Sequence, residues 1–232
     1  MDAGEPTSLD ELAQQVVRRA GSRPSARFVL GIAGPPGAGK STLAARLRRR
    51  IADIAGSETV AIAPMDGFHL TNAELARRGW TDHKGEPHTF DVAAYVATLR
   101  QLRRSTAALT VPIYDRARHE PRPDGARFGP ETSIVITEGN YLLLDTDGWS
   151  QVRDCLDEVW FLHAERALLA ERLFARHVSG GKAAEVARRK VETSDLRNAD
   201  LVASGLDRAD LVLADDDGEY RLLESYGRAP GQ

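Results

Sequence analysis

The sequence is poor in cysteine and has no long apolar run. Its only cysteine is Cys155, which excludes an internal disulfide and a cysteine-based zinc site and fits a reducing compartment. Nowhere do about eighteen apolar residues run together, and the acidic residues 1–5 lack a positively charged stretch followed by an apolar one. We therefore expect a cytoplasmic protein that is neither secreted nor inserted in a membrane.

A strong charge of either sign is also missing. The net charge of the 232 residues is −3, with 28% charged and 42% hydrophobic residues, as in ordinary globular proteins. This balance gives no reason to expect nucleic acid or an anionic membrane as a partner, so any basic site must be local. The length suits one sizeable domain, and the sequence leaves the oligomeric state open, a homodimer included.

Short apolar runs alternate with helical patterns along the chain. A capping box at Ser8 opens the first helix, and Asp91 is placed to cap a later one. The strand-like runs are 28–33, 59–63, 133–137, 159–162 and 209–214, with helical patterns at 8–20, 40–54, 91–102 and 165–177 and a loop or hairpin at 120–130. This alternation predicts an α/β fold with a doubly wound, mostly parallel sheet covered by helices on both faces.

A glycine-rich loop joins the first of these strands to the helix that follows it. It matches the Walker A pattern, in which backbone N–H groups wrap phosphate, the lysine reaches the β and γ oxygens, and the serine hydroxyl binds Mg²⁺. A simple glycine-rich turn is the alternative, but the strand–loop–helix context favours nucleotide binding. The predicted ATP-binding residues are Gly34, Pro35, Pro36, Gly37, Ala38, Gly39, Lys40, Ser41 and Thr42.

Two carboxylates follow strand-like runs, at the edge where open parallel sheets bind ligands. Glu138 is predicted to hold Mg²⁺ together with Ser41, with a surface glutamate at a turn as the alternative. Asp66 is placed to accept a proton from an attacking hydroxyl. A helix N-cap or a contact to Mg²⁺-bound water is the alternative for Asp66, and either is compatible with catalysis.

The glycine-rich loop alone does not separate motors, switches and kinases. The guanine-reading Asn-Lys-x-Asp stretch of GTPases is absent. Residues 179–182 look like the Ser-Gly-Gly signature of transporter ATPases, but that signature precedes the Walker B strand, whereas here the stretch follows the strand of Glu138. We interpret it as a mobile loop whose Lys182 either lies near phosphate or is solvated.

An ordered series of motifs is more specific than the loop. In this order, over about residues 28 to 200, the series resembles the uridine kinase, pantothenate kinase and phosphoribulokinase group. The resemblance implies a P-loop fold in three α/β/α layers with a small helical lid, and transfer of the ATP γ-phosphate to a hydroxyl of a small metabolite. Its members are Gly34 to Thr42, Asp66-Gly67-Phe68, Pro87-His88-Thr89-Phe90-Asp91, Val111-Pro112-Ile113-Tyr114-Asp115 with His119, and Glu138-Gly139.

The resemblance also implies the catalytic residues. Asp66 is the expected base, and Lys40 the phosphate-binding lysine. Arg172 and Arg176, four apart and thus on one helix face, are expected to contact the transferring phosphates as lid arginines. The alternative for these two arginines is that they lie on a solvent-exposed helix face and form salt bridges there.

The resemblance also implies that Tyr114 and His119 are residues of the acceptor site. Packing within a hairpin is the alternative for Tyr114, and a surface position is the alternative for His119. His69, His83 and His88 are weaker candidates, and their spacing predicts no single metal cluster. The predicted substrate-binding set is Asp66, His69, Tyr114, His119 and Glu138.

Two departures from the uridine kinase pattern leave the acceptor open. Gly85 stands where uridine kinases carry the aspartate that holds ribose hydroxyls, and residues 180–182 replace their dense Arg-Gly-Arg lid pattern. The stretches at 84–91 and 138–143 look closest to bacterial members described as nucleoside/nucleotide kinase-like, some of them similar to fructose kinases. A nucleoside, a sugar and pantothenate therefore all stay open as acceptors.

The sequence as a whole predicts an ATP- and Mg²⁺-dependent small-molecule kinase. We expect an N-terminal helix at 1–22, a kinase domain at 23–226 with a lid at about 172–198, and a disordered tail at 227–232. A regulatory ATPase that binds a protein partner through its lid is the rival interpretation. A non-catalytic nucleotide-binding module is the third, and the intact set of catalytic and metal-binding residue types disfavours it.

Overall fold

The structure, a computed structural model, describes residues 4–22, 26–146, 148–216 and 218–225. The tail predicted at 227–232 lies outside these described residues. Two sheets form, one of seven strands and one of two. In chain order the strands are β1 (Glu5–Thr7), β2 (Phe28–Ala33), β3 (Val60–Ile62), β4 (Leu109–Asp115), β5 (Glu120–Phe128), β6 (Ile134–Gly139), β7 (Glu158–His163), β8 (Leu211–Asp216) and β9 (Glu219–Ser225).

Helices lie between most of the strands. None of those in the described ranges is long and apolar enough to cross a membrane. In chain order they are α1 (Leu9–Gly21), α2 (Lys40–Ala55), α3 (Asn72–Arg78), α4 (Val92–Arg104), α5 (Ser150–Arg153), α6 (Arg166–Ser179), α7 (Ala184–Lys190) and α8 (Leu196–Ala203), with a π-helical turn at Val191–Asp195 between α7 and α8.

The larger sheet runs in the order β1-β9-β8-β7-β2-β6-β3. From β8 to β3 neighbouring strands pair in parallel, while β9 and β1 add an antiparallel edge. Phe28 lies opposite Ile134 and Ala33 opposite Gly139, so β2 and β6 end together at one edge. Both strands are buried along their whole length, which explains the apolar runs at 28–30 and 134–136.

Helices cover this sheet on both faces. One apolar layer packs α1, α2 and α6 against the sheet through residues such as Leu12, Leu43 and Leu173. The opposite layer packs α4 and α5 through residues such as Leu99 and Val152. The arrangement is the predicted three-layer α/β/α fold with a mostly parallel sheet.

Most predicted elements form, with ends shifted by one or two residues. Ser8 closes a capping box at the start of α1, and Asp91 accepts a hydrogen bond from the backbone at the start of α4. The segment predicted as a loop or hairpin at 120–130 contributes β5, which pairs antiparallel with β4. The sequence does not predict the two antiparallel strands β1 and β9, because β1 has three residues with a central Pro6 and β9 carries mixed polar residues.

The stretch predicted as a lid, at about 172–198, consists of the second half of α6, then α7, the π-helical turn and the start of α8. His177 Nε2 on α6 lies 2.6 Å from Asp195 Oδ2 on the π-helical turn, and the Arg188 guanidinium of α7 lies 5.7 Å from the centre of the Phe174 ring on α6. These contacts join α7 and the π-helical turn to α6, and Val191 and Leu196 also pack into the apolar layer that covers one face of the sheet.

Candidate active site

The glycine-rich loop lies between β2 and α2 and packs against β7. Gly34, Gly37 and Gly39 have φ angles of 147°, 85° and 100°, which residues with a side chain rarely adopt. A Cβ on Gly34 would also lie 2.5 Å from the Leu162 carbonyl oxygen. The loop therefore approaches β7 closely and brings backbone N–H groups to the N-terminus of α2, where the helix dipole favours an anion.

Lys40 is buried beneath this loop. Its Nζ donates to the Pro35 carbonyl oxygen at 2.9 Å and to Asn140 Oδ1 at 2.7 Å. Burial lowers the pKa of Lys40 to about 8, although the charges of Glu138 and Asp66 act in the opposite direction. A buried lysine whose hydrogen bonds go to neutral oxygens gains strongly from an anionic partner, so the loop and Lys40 fit a nucleotide phosphate.

Ser41 and Glu138 form the second part of the phosphate side. Ser41 Oγ donates to Glu138 Oε1 at 3.0 Å. Burial raises the pKa of Glu138, and the nearby charge of Asp66 raises it further. The preceding Thr137 fixes the end of β6, because its hydroxyl donates to the Ala63 carbonyl oxygen at 2.6 Å. Hydroxyl and carboxylate oxygens are ligands that Mg²⁺ prefers, and a cation here would offset the buried charge, so the pair fits this ion.

Asp66 lies in a 3₁₀ turn, Met65–Phe68, shortly after β3. The turn packs directly on the hairpin, since a Cβ on Gly67 would lie 2.1 Å from the Pro112 carbonyl oxygen of β4. The Asp66 carboxylate is part-exposed, and its Oδ2 lies 3.8 Å from Arg116 Nη2. The close backbone contact at Gly67 therefore sets the position of Asp66 relative to the hairpin.

Five predicted side chains lie at the carboxyl edge of the sheet. The parallel pairing of β2, β6 and β3 brings Lys40, Glu138 and Asp66 to this edge, and the contacts of His69 with the Asp66 backbone and of Tyr114 with the His69 ring add the other two. Burial is the largest influence on the pKa values of the four residues around Asp66, lowering those of Lys40 and His69 and raising those of Tyr114 and Glu138. The charge of Asp66 acts on all four.

His69 and Tyr114 form a wall beside Asp66. His69 Nδ1 lies 2.8 Å from the Asp66 carbonyl oxygen, and the His69 ring centre lies 4.0 Å from that of Phe90 and 4.8 Å from that of Tyr114. Lys84 Nζ lies 5.5 Å from the centre of the Tyr114 ring. Aromatic faces with a few polar groups are typical of small-molecule sites, so this wall is the candidate acceptor side.

The two predicted lid arginines lie close to the glycine-rich loop. Arg172 Nη2 lies 3.3 Å from Asp215 Oδ2, and the same carboxylate oxygen would lie 4.0 Å from a Cβ on Gly39. The charge of Arg176 contributes to the lowered pKa of Lys40, after the larger effect of burial. Both guanidinium groups are therefore on the side of the site where the phosphates would lie.

The remaining predicted histidines lie on the hairpin tip and on the loop after α3. His119 is exposed with φ 52°, and its carbonyl oxygen accepts a hydrogen bond from Lys84 Nζ. The spacing of His69, His83 and His88 predicted no single metal cluster, and His69 lies outside the group that the other two form; one ligand atom each from His83, His88 and Glu86, however, lies within 4.8 Å of the others, a grouping the spacing did not indicate. A tight turn between them brings the three side chains together.

Four residues of the site have no predicted role. Asn140 accepts from Lys40, Arg116 lies near Asp66, Lys84 lies over Tyr114, and Tyr141 Oη donates to the Gly85 carbonyl oxygen at 2.6 Å. Asn140 and Tyr141 directly follow Glu138-Gly139, so their place in that motif was the available signal. Arg116 and Lys84 meet the site only through the packing of the hairpin and loop, which the sequence pattern does not reveal.

Comparisons with known proteins agree with this geometry. The model of the "Phosphoribulokinase / Uridine kinase family" matches residues 29–215. A provisionally named uridine kinase of Schizosaccharomyces pombe is 34% identical over 220 residues, which cover 92% of this chain and 93% of that protein. The pantothenate kinase of Latilactobacillus sakei is 30% identical over 208 residues, which cover 80% and 67% of the two chains.

Among solved structures, the chain is similar to a provisionally named fructose transport system kinase of Silicibacter sp. TM1040. The TM-score is 0.79 at 33% identity, and the match covers 86% of this chain and 95% of the other. The fold, the glycine-rich loop and the family match thus agree on one assignment. The chain belongs to the phosphoribulokinase / uridine kinase family of P-loop kinases.

Proposed function

We propose that the protein transfers the γ-phosphate of ATP to a hydroxyl group of a small metabolite. The observation that carries this proposal is the position of Asp66, which shares one sheet edge with Lys40 and with the Ser41–Glu138 pair. A regulatory ATPase needs only the phosphate side of this arrangement. A carboxylate with a wall of ring side chains beside it supplies what an acceptor hydroxyl needs.

The phosphate side consists of residues 34–42 with Glu138. The loop N–H groups and Lys40 would hold the triphosphate, and Ser41 and Glu138 would hold Mg²⁺. When bound, the ion neutralises charge on the transferring phosphates. Within the described residues, the hydrogen bonds of buried Lys40 go to neutral oxygens of Pro35 and Asn140, and buried Glu138 accepts from the neutral Ser41 hydroxyl, which supports this use.

In the proposed reaction, Asp66 accepts the proton of the acceptor hydroxyl. The acceptor oxygen forms a bond to the γ-phosphorus as the bond to the β–γ bridging oxygen breaks, so ADP leaves and the phosphate ester forms. Arg172 and Arg176 stabilise charge on the transferring group, since guanidinium groups fixed beside the loop need little reorganisation. Most of the rate enhancement then comes from positioning and preorganised charge.

The acceptor is a small polar molecule held between Asp66 and the wall of His69 and Tyr114. Relatives named for uridine, pantothenate and fructose define the classes to test first. The aromatic faces suit a ring or an alkyl chain, and Lys84 and Arg116 add positive charge at the rim. The proposal is therefore a hydroxyl-bearing nucleoside, sugar or pantothenate-like acid.

A phosphoryl-transfer assay tests the proposal. Mg²⁺-ATP is incubated with uridine, cytidine, pantothenate, fructose, ribulose and ribulose 5-phosphate separately, and products are detected by mass. We expect phosphorylation of one acceptor class, a loss of about 100-fold or more in kcat for Asp66→Asn, and an ATP affinity within about twofold of wild type. Asp124→Asn, at an exposed position of β5, is the matched control and should keep full activity.

Two results would contradict the proposal. Parallel loss of turnover and ATP affinity in Asp66→Asn would remove the base role. ADP formation without a phosphorylated product, unchanged when a cell metabolite extract is added, would favour the regulatory ATPase instead.

A further inference from the structure

We propose that His83, Glu86 and His88 bind a divalent transition-metal ion of the zinc type, at a site separate from the nucleotide side. One ligand atom from each side chain lies within 4.8 Å of the other two. His83 Nδ1 lies 3.0 Å from Glu86 Oε1, and His88 Nδ1 lies 3.9 Å from Glu86 Oε2. Metal bonds of about 2.1 Å in a tetrahedron place donors about 3.4 Å apart, so each of these distances needs to change by about half an ångström.

The backbone holds the three side chains on one side of the loop. His83 N donates to the Trp80 carbonyl oxygen, Glu86 N to that of His83, and Thr89 N to that of Glu86, at 3.0, 2.9 and 2.9 Å. The Thr89 hydroxyl also accepts from Gly85 N at 3.0 Å and donates to the Glu86 carbonyl oxygen at 2.8 Å. The ligands therefore come from consecutive hydrogen-bonded turns. Because these turns already hold the backbone, metal binding loses less conformational entropy.

The site is open to solvent. The His83, Glu86 and His88 side chains are 53%, 34% and 41% exposed. The Trp80 ring meets the His88 ring edge-on, with centres 4.7 Å apart and an interplanar angle of 85°, and this contact orients the imidazole. Three protein ligands with solvent access leave a fourth position for water, as in open zinc sites.

The ligand types discriminate against Mg²⁺. Two imidazole nitrogens with one carboxylate suit Zn²⁺, Co²⁺, Ni²⁺ and Cu²⁺, whereas Mg²⁺ prefers an all-oxygen octahedron. The phosphate side, with the Ser41 hydroxyl and the Glu138 carboxylate, has the opposite preference. The two sites therefore select different ions, and the proposed site does not depend on the proposed kinase reaction.

The site also lies next to the acceptor wall in the chain. Lys84 and Gly85 lie between the ligands in the sequence. The Lys84 ammonium lies over the Tyr114 ring, and the Gly85 carbonyl oxygen accepts a hydrogen bond from the Tyr141 hydroxyl. An ion held by residues on both sides of this pair fixes the loop that carries it. Metal binding is thus placed to order the acceptor side.

Cobalt binding tests the site directly. The untagged full-length protein is treated with chelator, dialysed and titrated with Co²⁺ without nucleotide, with d–d absorption and elemental analysis as readouts. We expect one Co²⁺ per chain, displaced by Zn²⁺ and retained in excess Mg²⁺. The variants His88→Ala and Glu86→Gln should each weaken Co²⁺ binding at least about tenfold.

A histidine–carboxylate pair elsewhere supplies the matched control. His163 Nε2 lies 3.5 Å from Glu165 Oε1, so His163→Gln removes a comparable pair and should leave Co²⁺ binding unchanged. In wild-type protein, imidazole ¹H–¹⁵N spectra should show two of the six histidine signals shifting with one equivalent of Zn²⁺, a readout that needs no variant. Absence of stoichiometric Co²⁺ binding, binding insensitive to the His88 and Glu86 changes, or shifts of other histidines would each overturn the proposal.

Discussion

Replacing Gly67 by alanine tests how Asp66 is positioned. Gly67 does not have a positive φ, so the substitution acts through space and not through backbone strain. The added Cβ would lie 2.1 Å from the Pro112 carbonyl oxygen and 2.5 Å from its carbon, whereas real Cβ atoms essentially never come within 3.0 Å of another heavy atom. Both sides of the contact are backbone, so the Asp66 turn and the hairpin must separate by about 0.9 Å.

The cost of this separation follows from the role proposed for Asp66. A displacement of about 1 Å at a reacting group costs about 100-fold in rate, which corresponds to about 2.7 kcal/mol of transition-state stabilisation. We therefore expect Gly67→Ala to lower kcat/KM for the acceptor about 100-fold. The ATP dissociation constant should stay within about twofold, because Gly34 packs on β7 and not on the hairpin.

The assay is steady-state phosphoryl transfer to the acceptor that is identified by the phosphoryl-transfer assay described above. ATP binding is measured by calorimetry. Gly129→Ala is the control, since it follows β5, has no positive φ, and a Cβ there would meet nothing within 4 Å. Far-UV circular dichroism checks that Gly67→Ala is folded. A folded Gly67→Ala variant with acceptor kinetics within threefold of wild type would refute the reasoning, as would an ATP affinity that falls in step with kcat/KM.

Three further predictions address the remaining contacts. Because the pKa of Lys40 is about 8 in the nucleotide-free protein, the side chain loses its charge above pH 8, and the ATP dissociation constant should rise about tenfold per pH unit there. Lys40→Arg keeps its charge and should show an ATP dissociation constant that does not change between pH 7 and 9. A wild-type dissociation constant that is equally independent of pH would contradict this prediction. Arg172→Ala should lower kcat about 100-fold. Arg166→Ala is the control, because Arg166 is on the same helix but pairs with Asp200 of α8, and this variant should keep the wild-type kcat. Equal losses of kcat in the two variants would indicate that Arg172 supports the structure of α6 and not the transferring phosphate. Tyr141→Phe should reduce the free energy of unfolding in urea by about 1–2 kcal/mol, since the Gly85 carbonyl oxygen loses its partner, and an unchanged midpoint would show that water replaces the hydroxyl.

The interior strands are predictable because a strand that is buried on both faces requires apolar residues, which are visible in the sequence. Strands β2, β6 and β7 are buried over nearly their whole length, and each contains a short apolar run, at 28–30, 134–136 and 159–162. The outermost strand β1 and its neighbour β9 carry no such run. β9 pairs with β8 and β1 pairs with β9, so the place of both strands in the sheet is decided by pairing between strands and not by a local apolar pattern.

The site divides in the same way. Lys40, Ser41, Asp66 and Glu138 follow or end buried strands, and the topology of a parallel sheet brings such positions to one edge. Their proximity could therefore be predicted from order along the chain. Arg116 reaches Asp66 from the hairpin, and the angle of the hairpin depends on packing that no local pattern describes.

The grouping of His83, Glu86 and His88 is a feature that the sequence did not indicate. The prediction from spacing concerned His69, His83 and His88, which it expected to form no single metal cluster, and nothing in the sequence linked Glu86 to the two histidines. The left-handed φ of Gly85, 101°, and the hydrogen-bonded turns on either side of it shape the chain that carries the three side chains. Hydrophobic periodicity contains no information about such turns.

The two sides of the proposed site also differ in the structure that supports them. The phosphate side rests on the buried inner strands β2 and β6 and on the contact between Gly34 and β7, where substitutions create clashes or cavities. The acceptor side rests on a hairpin and a loop, on which Arg116 is exposed and Lys84 is half-buried. Relatives that are named for uridine and for pantothenate share the family with this chain. Since Gly67 is where the backbone of the two sides meets, we expect a displacement of the hairpin to change the position of Asp66.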